Sequence, residues 1–477
     1  MRTDQLVIAS NRGPVRFAYE GDELQSRRGF GGLVTALGAA LQDEPGTWVS
    51  VALSDTDQRV AASHDGPFEV DADGSRFRLS MVDVGDRFDP YYNHVANELL
   101  WFTLHGLWPA PYAPARRWSN DWREGYLAVN RAIADEVVAV AGDHPEVHLH
   151  DYHVAAVAPT VRRARPDAPI LGYVHTPWAR PWEFARLPDE MARGILEGLL
   201  AADVVVLSAP QWASSLRRCA HEVLGATIEG EHVVHEGQRT HVTDLVLGVD
   251  GAPLAEAAEA DATREAGERI DAARDGRRLI VRVDRTDLSK NILRGLLAYE
   301  LLLEEHPEHR DRVCHLAVCN PSRQSVPAYR RYVEDCQAVA DRIAARFGSS
   351  TIDFRVVDDY PAAIAALQRY DVLLANPVRD GTNLVAKEGP VLNRGDGALV
   401  LSREAGAVTA LGPAALTVNP FDVEDQAAAL HRALAMGPDE RADRARRLRA
   451  AATLGAPEEW LSQQRMALRT AVSERRR

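Results

Sequence analysis

The stretch from residue 372 to residue 388 reads Val-Leu-Leu-Ala-Asn-Pro-Val-Arg-Asp-Gly-Thr-Asn-Leu-Val-Ala-Lys-Glu. Its first part, residues 372–378, is apolar and is typical of a buried strand. Gly381 marks a turn, and the residues after it predict a helix that continues to about Asn393. A strand that leads through a glycine turn into a helix presents free backbone amides and the positive end of a helix dipole. The stretch therefore predicts an anion site with amides from Thr382, Asn383 and Leu384.

Lysine is rare in this chain, and both lysines follow predicted strands. The chain has 55 Lys and Arg residues, and only Lys290 and Lys387 among them are lysine. Lysine is a compact charge that suits phosphate, and arginine does not replace it without change. Lys290 follows Arg285, and Lys387 lies in the stretch quoted above. The pattern indicates an anion site, and the alternative is that two surface lysines were retained by chance.

Strands and helices alternate along the whole chain. In the second half the apolar runs predict strands at 279–283, 313–318, 352–357, 372–375, 398–401 and 416–418. Such alternation is typical of a parallel sheet with right-handed crossovers, so the predicted fold class is α/β. The first half alternates too, with more irregular insertions. A length of 477 residues favours two domains, which we assign to 1–248 and 249–455, with a last helix at 456–477 returning to the first domain.

Ligands of parallel sheets bind at the carboxyl ends of the strands. The charged and polar candidates lie at such ends in both halves, so we expect one site in the cleft between the domains. Gly31 and Gly32 open a predicted helix and form a second place where backbone can approach a phosphate, with a plain loop as the alternative. The candidates at strand ends are Arg12, Asp151, His175, Arg285, Lys290, Asp380 and Glu388.

Composition excludes several classes of function. A net charge of −14 argues against nonspecific binding to nucleic acid and against an anionic membrane surface. No apolar run approaches the ~18 residues of a membrane span, and the first residues do not resemble a signal peptide. The four cysteines form no CxxC pair, which fits a reducing cytoplasm. His150, Asp151 and His153 are spaced as metal ligands can be, but no second cluster lies near them in the sequence, and we expect no metal.

Several motifs follow one another between residue 6 and about residue 436, and together they resemble the trehalose-6-phosphate synthases, glycosyltransferase family 20. The resemblance covers most of the chain and is most specific in the last stretch and in the spacing of Arg285 and Lys290. The motifs are Ser-Asn-Arg12, Gly31-Gly32, Tyr92-Asn93, Trp101, His-Asp151-Tyr-His, His175-Thr-Pro, Arg285 with Lys290, Ser322-Arg323 and the run from Asp380 to Glu388.

The resemblance implies a GT-B fold of two Rossmann-like domains and a retaining, metal-independent enzyme without a cofactor. It implies transfer of glucose from a nucleoside-diphosphate glucose to glucose 6-phosphate. The implied donor-binding residues are Gly32, His175, Arg285, Lys290, Asp380, Thr382, Asn383, Leu384, Val385 and Glu388. The implied acceptor-binding residues are Arg12, Trp48, Tyr92, Trp101, Asp151 and Arg323. The implied catalytic set is Asp151, His175, Arg285, Lys290 and Asp380.

Within that set the resemblance implies individual roles. Arg285 and Lys290 hold the donor diphosphate, and Glu388 binds the ribose hydroxyls. Asp380 holds glucose hydroxyls, and His175 holds the glucose 6-hydroxyl. The acceptor phosphate is gripped by Arg12, Tyr92 and Arg323.

An alternative comes from Trp178 and the Arg285-Thr-Asp segment, which resemble the validoxylamine-phosphate synthases. These are pseudo-glycosyltransferases of the same fold that couple an amine to a nucleotide-linked cyclitol. His153 and the pair Tyr92 and Trp101 favour trehalose chemistry. A catalytically silent sugar-phosphate sensor is disfavoured because no implied charged contact is missing. The sequence leaves the donor base open between guanine and uracil, and it leaves homo-oligomerisation open; only small-molecule partners are expected.

Overall fold

The computed structural model describes residues 5–21, 23–28, 46–72, 74–108, 118–324 and 326–476. The chain divides into two units, of which the first comprises Met1–Leu245 and Pro457–Arg477 and the second comprises Val246–Ala456. Among the described residues no helix combines the length and the apolar character needed to cross a bilayer.

The first unit is built on a ten-stranded sheet. Its spatial order is β10-β11-β12-β9-β8-β7-β1-β4-β6-β5, and the seven strands from β12 to β6 are parallel. Antiparallel hairpins extend both ends, and β2 pairs with β3 in a separate hairpin. The strands are β1 (Gln5–Ser10), β2 (Val15–Glu20), β3 (Glu23–Arg28), β4 (Gly46–Val51), β5 (Phe68–Ala72), β6 (Ser75–Val82), β7 (Pro145–His150), β8 (Ile170–Val174), β9 (Val204–Leu207), β10 (Thr227–Glu229), β11 (His232–His235) and β12 (Gln238–Asp244).

The helical segments of the first unit connect these parallel strands. They are Asp55–Ala62, Gly85–Arg87, Asp89–Leu100, Trp101–Leu104, Trp118–Asn120, Asp121–Leu127, Ala128–Val140, Tyr152–Val154, Ala158–Ala164, Pro181–Phe184, Asp189–Leu200, Pro210–Leu224 and, from the end of the chain, Pro457–Arg475.

The second unit is built on a six-stranded, fully parallel sheet. Its order is β15-β14-β13-β16-β17-β18. The strands are β13 (Arg278–Arg285), β14 (Val313–Asn320), β15 (Ile352–Val356), β16 (Val372–Ala375), β17 (Ala398–Ser402) and β18 (Leu416–Val418). The helical segments are Gly251–Glu259, Asp261–Arg274, Leu288–Lys290, Ile292–Glu305, Pro307–His309, Pro327–Phe347, Tyr360–Arg369, Leu384–Leu392, Val408–Leu411, Val423–Ala435 and Pro438–Ala452.

Both faces of the second sheet are buried, as its continuous apolar strands require. Leu279 and Val281 pack on one face, and Ile280 packs on the other. The helix after β13, Ile292–Glu305, buries its apolar side on the face of Ile280. The helix after β16, Leu384–Leu392, contributes to the opposite face. The direction of winding therefore reverses between β13 and β16, and open parallel sheets bind ligands at such a point.

The first sheet reverses at the corresponding place. In chain order its parallel strands are β1, β4, β6, β7, β8, β9 and β12, and β1 lies between β4 and β7. Ser10 at the end of β1 is directly opposite His150 at the end of β7. The loops after β1 and β7 therefore leave the sheet side by side.

The α/β class predicted from the sequence is confirmed, and several predicted strands coincide with observed ones, among them Val372–Ala375 and Leu416–Val418. The hairpin β2–β3 was not predicted. Its strands carry many polar residues and are largely exposed, so no apolar run marks them. The helix predicted to run to about residue 393 is Leu384–Leu392 and contains Pro390.

The last helix packs on the first unit through Trp460. This side chain is fully buried, and its ring lies 4.9 Å from that of Tyr173 in an edge-on arrangement. On the same helix Arg465 Nε lies 2.8 Å from a carboxylate oxygen of Glu146. An apolar anchor and a nearly buried ion pair thus fix the helix to the sheet.

Replacing Trp460 with Ala should destabilise the first unit by about 3–5 kcal/mol, because the change leaves a cavity the size of an indole. Urea unfolding followed by circular dichroism measures the loss. Met466 lies on the same helix and is 65% exposed, so Met466→Ala is the matched control. Its cost should stay within about 0.5 kcal/mol. Equal effects of the two changes would contradict the packing role of Trp460.

Candidate active site

Lys290 lies at the point where the second sheet reverses. Arg285 ends β13, and Lys290 closes the short turn that follows. Lys290 Nζ lies 2.6 Å from Asp380 Oδ2 and 3.8 Å from Asp284 Oδ1. Burial alone would lower the pKa of Lys290, but these two carboxylates raise it above its ordinary value. The lysine is therefore positively charged at neutral pH, at the carboxyl ends of β13 and β16.

Asn383 shapes the helix start beside this lysine. It has a left-handed backbone, with φ of 68°, and its side-chain oxygen accepts the Ala386 N–H at 3.0 Å. Its side-chain nitrogen donates to Asp380 Oδ2 at 3.2 Å. The N–H groups of Leu384 and Val385 lie in the first turn, where helix geometry supplies no internal partner. Asn383 therefore links the carboxylate of Asp380 to a helix start that can bind an anion.

One buried carboxylate, Asp287, holds two arginines. Arg285 Nη2 forms a close ion pair with it, and Arg323 Nη1 lies 3.6 Å from its Oδ1. Burial alone would raise the pKa of Asp287, but the charges of Arg285 and Arg323 bring it down to about 2. Arg323 also donates to the Tyr329 hydroxyl at 2.7 Å. The structure thus brings the predicted diphosphate and acceptor-phosphate arginines together, through an aspartate that was quoted in the sequence motif but given no role.

Glu388 lies one helical turn beyond the helix start. Burial raises the pKa of its carboxyl to about 7, and the positive charge of Lys290 opposes that rise. Hydroxyl groups that donate to such a carboxyl favour its ionised form and lower its pKa.

The structure gives Lys387 a different environment from Lys290. Its side chain is fully buried, and Nζ donates to the Leu247 carbonyl at 2.5 Å. Burial lowers the pKa of Lys387 to about 8. The sequence predicts the same role for both lysines, but only Lys290 lies among the carboxylates at the strand ends. Lys387 lies on the helix Leu384–Leu392, on the side that faces the core.

In the first unit, Arg12 follows β1 and is exposed. Its Nη2 donates to the Tyr92 hydroxyl at 3.1 Å. The ring of Tyr92 stacks on Phe88 at 5.1 Å and lies 5.8 Å from that of His153. The structure therefore brings together Arg12 and Tyr92, both predicted to bind the acceptor phosphate.

Asp151 follows β7 and has φ of 75°, a left-handed backbone that is costly for a residue other than glycine. Its N–H donates to the Tyr173 carbonyl at 2.6 Å, and its Oδ1 accepts the backbone N–H of His175 at 3.3 Å. Burial alone would raise the pKa of Asp151, but the imidazole of His153, whose Nδ1 lies 3.8 Å from Asp151 Oδ2, lowers it. Asp151 is thus a held, ionised carboxylate at the reversal point of the first sheet.

His175 is paired with a second imidazole. Its Nε2 lies 3.2 Å from His150 Nδ1, so one of these nitrogens carries the shared proton. Burial lowers the pKa of both rings, with a smaller contribution to His150 from the charge of His175. Trp460 lies 6.2 Å from the ring of His175. The sequence predicted no such role for His150 or Trp460. The place of His150 at the end of β7 is a signal for it, whereas Trp460 has no such signal in the sequence.

The predicted sugar-lining tryptophans are buried. Trp48 is fully buried and donates from Nε1 to Ser10 Oγ at 2.8 Å. Trp101 is 2% exposed and packs on His105 with ring centres 4.2 Å apart. Their contact with a sugar stays a prediction. The predicted glycine of the donor site, Gly32, lies outside the described residues.

The model of glycosyltransferase family 20 matches residues 4–470. The chain belongs to glycosyltransferase family 20. It is therefore a glycosyltransferase, as the sequence predicted. It is 32% identical over 467 residues to a trehalose-6-phosphate synthase of Mycolicibacterium smegmatis, covering 94% of this chain and 89% of that protein. It is also 32% identical over 450 residues to a validamine 7-phosphate valienyltransferase of Streptomyces hygroscopicus subsp. jinggangensis, covering 90% and 88%.

Solved structures of the family share this fold. An alpha,alpha-trehalose-phosphate synthase (UDP-forming) from Burkholderia xenovorans, in complex with glucose-6-phosphate, superposes with a TM-score of 0.83. The match has 26% sequence identity and covers 98% of this chain and 100% of that one. The GT-B fold class expected from the resemblance is confirmed.

The raised pKa of Glu388 gives a prediction for this family-20 member. If ribose hydroxyls donate to its carboxylate, binding of a nucleotide sugar favours the ionised form. Affinity should then be about tenfold lower at about pH 6 than at about pH 8, because protonation competes with binding below the free pKa. Titration calorimetry with UDP-glucose or GDP-glucose, without acceptor, measures this. A nucleotide sugar avoids the free terminal phosphate of a nucleoside diphosphate, whose own second pKa lies near about 6.

Glu388→Gln should bind the same ligand with an affinity that changes little over this range. A donor that lacks both ribose hydroxyls should show the same flat profile with the wild type. A slope that survives in Glu388→Gln would assign the titration to another group and remove Glu388 from the ribose site.

Proposed function

We propose that this enzyme transfers glucose, with retention of configuration, from a nucleoside-diphosphate glucose to glucose 6-phosphate and so makes trehalose 6-phosphate. The observation that carries the proposal is the cationic group at the reversal point of the second sheet. There Lys290 and Arg285 lie beside the amides of a helix start. The leaving group of the reaction is a nucleoside diphosphate, and these groups stabilise the charge that develops on it.

The arrangement in the first unit supports an acceptor that carries both phosphate and hydroxyl groups. Arg12 and the hydroxyl of Tyr92 form an exposed pair that suits a phosphate. Asp151 is ionised and accepts hydrogen bonds, which suits sugar hydroxyls. The relative from Burkholderia xenovorans is described with glucose-6-phosphate, which has both kinds of group.

In this proposal the C1–O bond to the diphosphate breaks while the acceptor hydroxyl oxygen forms a bond to C1 on the same face. The acceptor proton passes to the departing phosphate oxygen, so no side chain serves as the base. Asp151 orients the acceptor, Asp380 and His175 orient the glucosyl group, and Glu388 binds the ribose. The proposed reaction uses no metal and no cofactor. A cytoplasmic location stays a prediction, and the sequence leaves homo-oligomerisation open.

A second candidate is coupling of a nucleotide cyclitol to an aminocyclitol phosphate. The match to a validamine 7-phosphate valienyltransferase favours it, at the same 32% identity as the synthase. Trp178 was one of the residues that carried this resemblance in the sequence. It is fully buried and stacks on Phe184 with ring centres 5.3 Å apart. Trp178 therefore has a packing role in this structure.

Lys290→Ala should lose about 2–4 kcal/mol of transition-state stabilisation, because it removes a charge beside the leaving diphosphate. In steady-state assays kcat/KM should fall about 30- to 1,000-fold. Arg264→Ala is the matched control, since it removes one positive charge from the same unit at a side chain that is 60% exposed. The control should keep wild-type activity. A Lys290→Ala enzyme within threefold of wild type would contradict the donor site.

Product analysis tests the function itself. Glucose 6-phosphate incubated with each of four nucleoside-diphosphate glucoses should give an α,α-linked disaccharide phosphate without a reducing end. Its proton NMR spectrum should show signals from two α-anomeric protons and no signal from a reducing end. The donor that reacts also identifies the base. If no sugar nucleotide yields a disaccharide, but the enzyme couples an aminocyclitol phosphate to a nucleotide cyclitol, the second candidate replaces the first.

A further inference from the structure

Two histidines and a glutamate meet on the second unit, at the edge opposite the candidate donor site. His306 directly follows the helix Ile292–Glu305, and Glu308 lies in the next turn, shortly before β14 begins. His431 lies near the end of Val423–Ala435, a helix that packs against Ile292–Glu305. Segments that precede a strand of a parallel sheet lie at its amino edge. The three residues are therefore separated from the carboxyl ends of the strands by the length of the sheet.

The side chains of His306, Glu308 and His431 converge. One potential ligand atom from each lies within 4.8 Å of the others. The rings of His306 and His431 stack with centres 3.7 Å apart, and His306 Nδ1 lies 3.1 Å from a carboxylate oxygen of Glu308. Around a tetrahedral Zn²⁺ with ligands at about 2.1 Å, ligand atoms are about 3.4 Å apart. The ligand atoms are close enough for one ion, and one of the two nearly parallel imidazole rings must turn for all three atoms to bind it.

We propose that His306, Glu308 and His431 form a binding site for a divalent transition-metal ion, and that Zn²⁺ is the ion this ligand set fits. Two imidazole nitrogens and one carboxylate oxygen are a common zinc ligand set, with water completing the tetrahedron. The side chains of His306 and Glu308 are 30% and 56% exposed, so an ion reaches the site from solvent. In the described part of the chain, no other set of three such residues brings its ligand atoms this close.

Two further features favour a cation at this place. His431 Nδ1 lies 3.1 Å from Nε2 of His309, a contact that orients the ring and leaves its other nitrogen for a metal. Metal-binding imidazoles are ordinarily oriented through their second nitrogen in this way. In addition, Ile292–Glu305 and Val423–Ala435 both end at the cluster, and helix C-termini carry partial negative charge.

A bound ion would clamp the ends of these two helices together. The helix Ile292–Glu305 begins two residues after Lys290, so the clamp would stabilise an element that carries part of the candidate donor site at its other end. The site takes no part in the proposed transfer chemistry, which uses residues at the opposite edge of the sheet. Metal binding and transfer activity can therefore be measured separately.

The test uses the full chain, freed of metal by a chelator and then desalted. Calorimetric titration with Zn²⁺ should show one strong site, and Co²⁺ should produce the visible absorption of a tetrahedral complex. His306→Ala and His431→Ala should each bind Zn²⁺ about tenfold more weakly or worse.

Zn²⁺ should raise the melting temperature of the wild type, because it binds the folded state, and should not raise the melting temperature of His431→Ala. Glu308→Gln tests whether the carboxylate of Glu308 binds the ion. Because this side chain is 56% exposed, the change should leave the fold intact.

The matched control is His241→Ala in the first unit. His241 stacks on His232 with ring centres 4.9 Å apart and lies 3.2 Å from a carboxylate oxygen of Glu231. His232, His241 and Glu231 are the same residue types as the proposed ligands, but their ligand atoms do not converge on one point. Removing the side chain of His241 should therefore leave the zinc affinity unchanged. Wild type that binds no Zn²⁺, or equal binding by wild type, Glu308→Gln and His431→Ala, would overturn the proposal. Unchanged transfer activity in His431→Ala is expected and confirms that the variant folds.

Discussion

The constraint on which this site depends is the right-handed crossover of parallel strands. When every crossover is right-handed, a sheet can grow in both directions from one strand only if the connecting helices on the two sides pack on opposite faces of the sheet. In the second unit this reversal falls between β13 and β16, and the helices that follow them do bury opposite faces. The loops after the two strands leave the sheet side by side at this point, and the Val378 N–H donates to the Ser289 carbonyl at 2.7 Å. Arg285 and Asp380 lie at that position because the topology puts the two strand ends there.

The electrostatics of the second unit follow from this placement. Three cations stand close together, and each is held by a carboxylate: Lys290 by Asp380, and both Arg285 and Arg323 by Asp287. Removing the charges of Lys290 and Arg323 from water is costly, because these side chains are largely buried, and the pairing offsets that cost. The fixed pairs also keep the cations in position before a ligand arrives, so little reorganisation accompanies binding. An anionic ligand competes with Asp380 for Lys290, whereas Asp287 is buried beneath the arginines and stays with them.

The sequence correctly predicted residues whose positions are set by the ends of strands. It failed for residues whose contacts depend on the direction of the side chain. Arg285 and Asp380 were found because apolar runs locate the ends of parallel strands, and those ends share one edge. Lys387 was grouped with Lys290 by composition, but helix geometry turns it into the core, where it meets a carbonyl. Trp460 reaches the first sheet from the far end of the chain, and no periodicity specifies which surface a terminal helix covers. Contacts of this kind arise only when the whole chain is folded.

The paired imidazoles of the first unit and the cations of the second unit differ in charge, and the difference suits two kinds of ligand group. In the first unit His150 and His175 are buried against each other, and burial keeps both imidazoles neutral. A neutral imidazole can donate or accept a hydrogen bond, so it suits an uncharged hydroxyl. Asp151 adds a hydrogen-bond acceptor, and His153 nearby keeps its pKa low. In the second unit Lys290 and Arg285 are charged and suit phosphate. A substrate pair that consists of sugar rings and phosphates needs both environments, and folding two parallel sheets with reversed winding supplies a place for each.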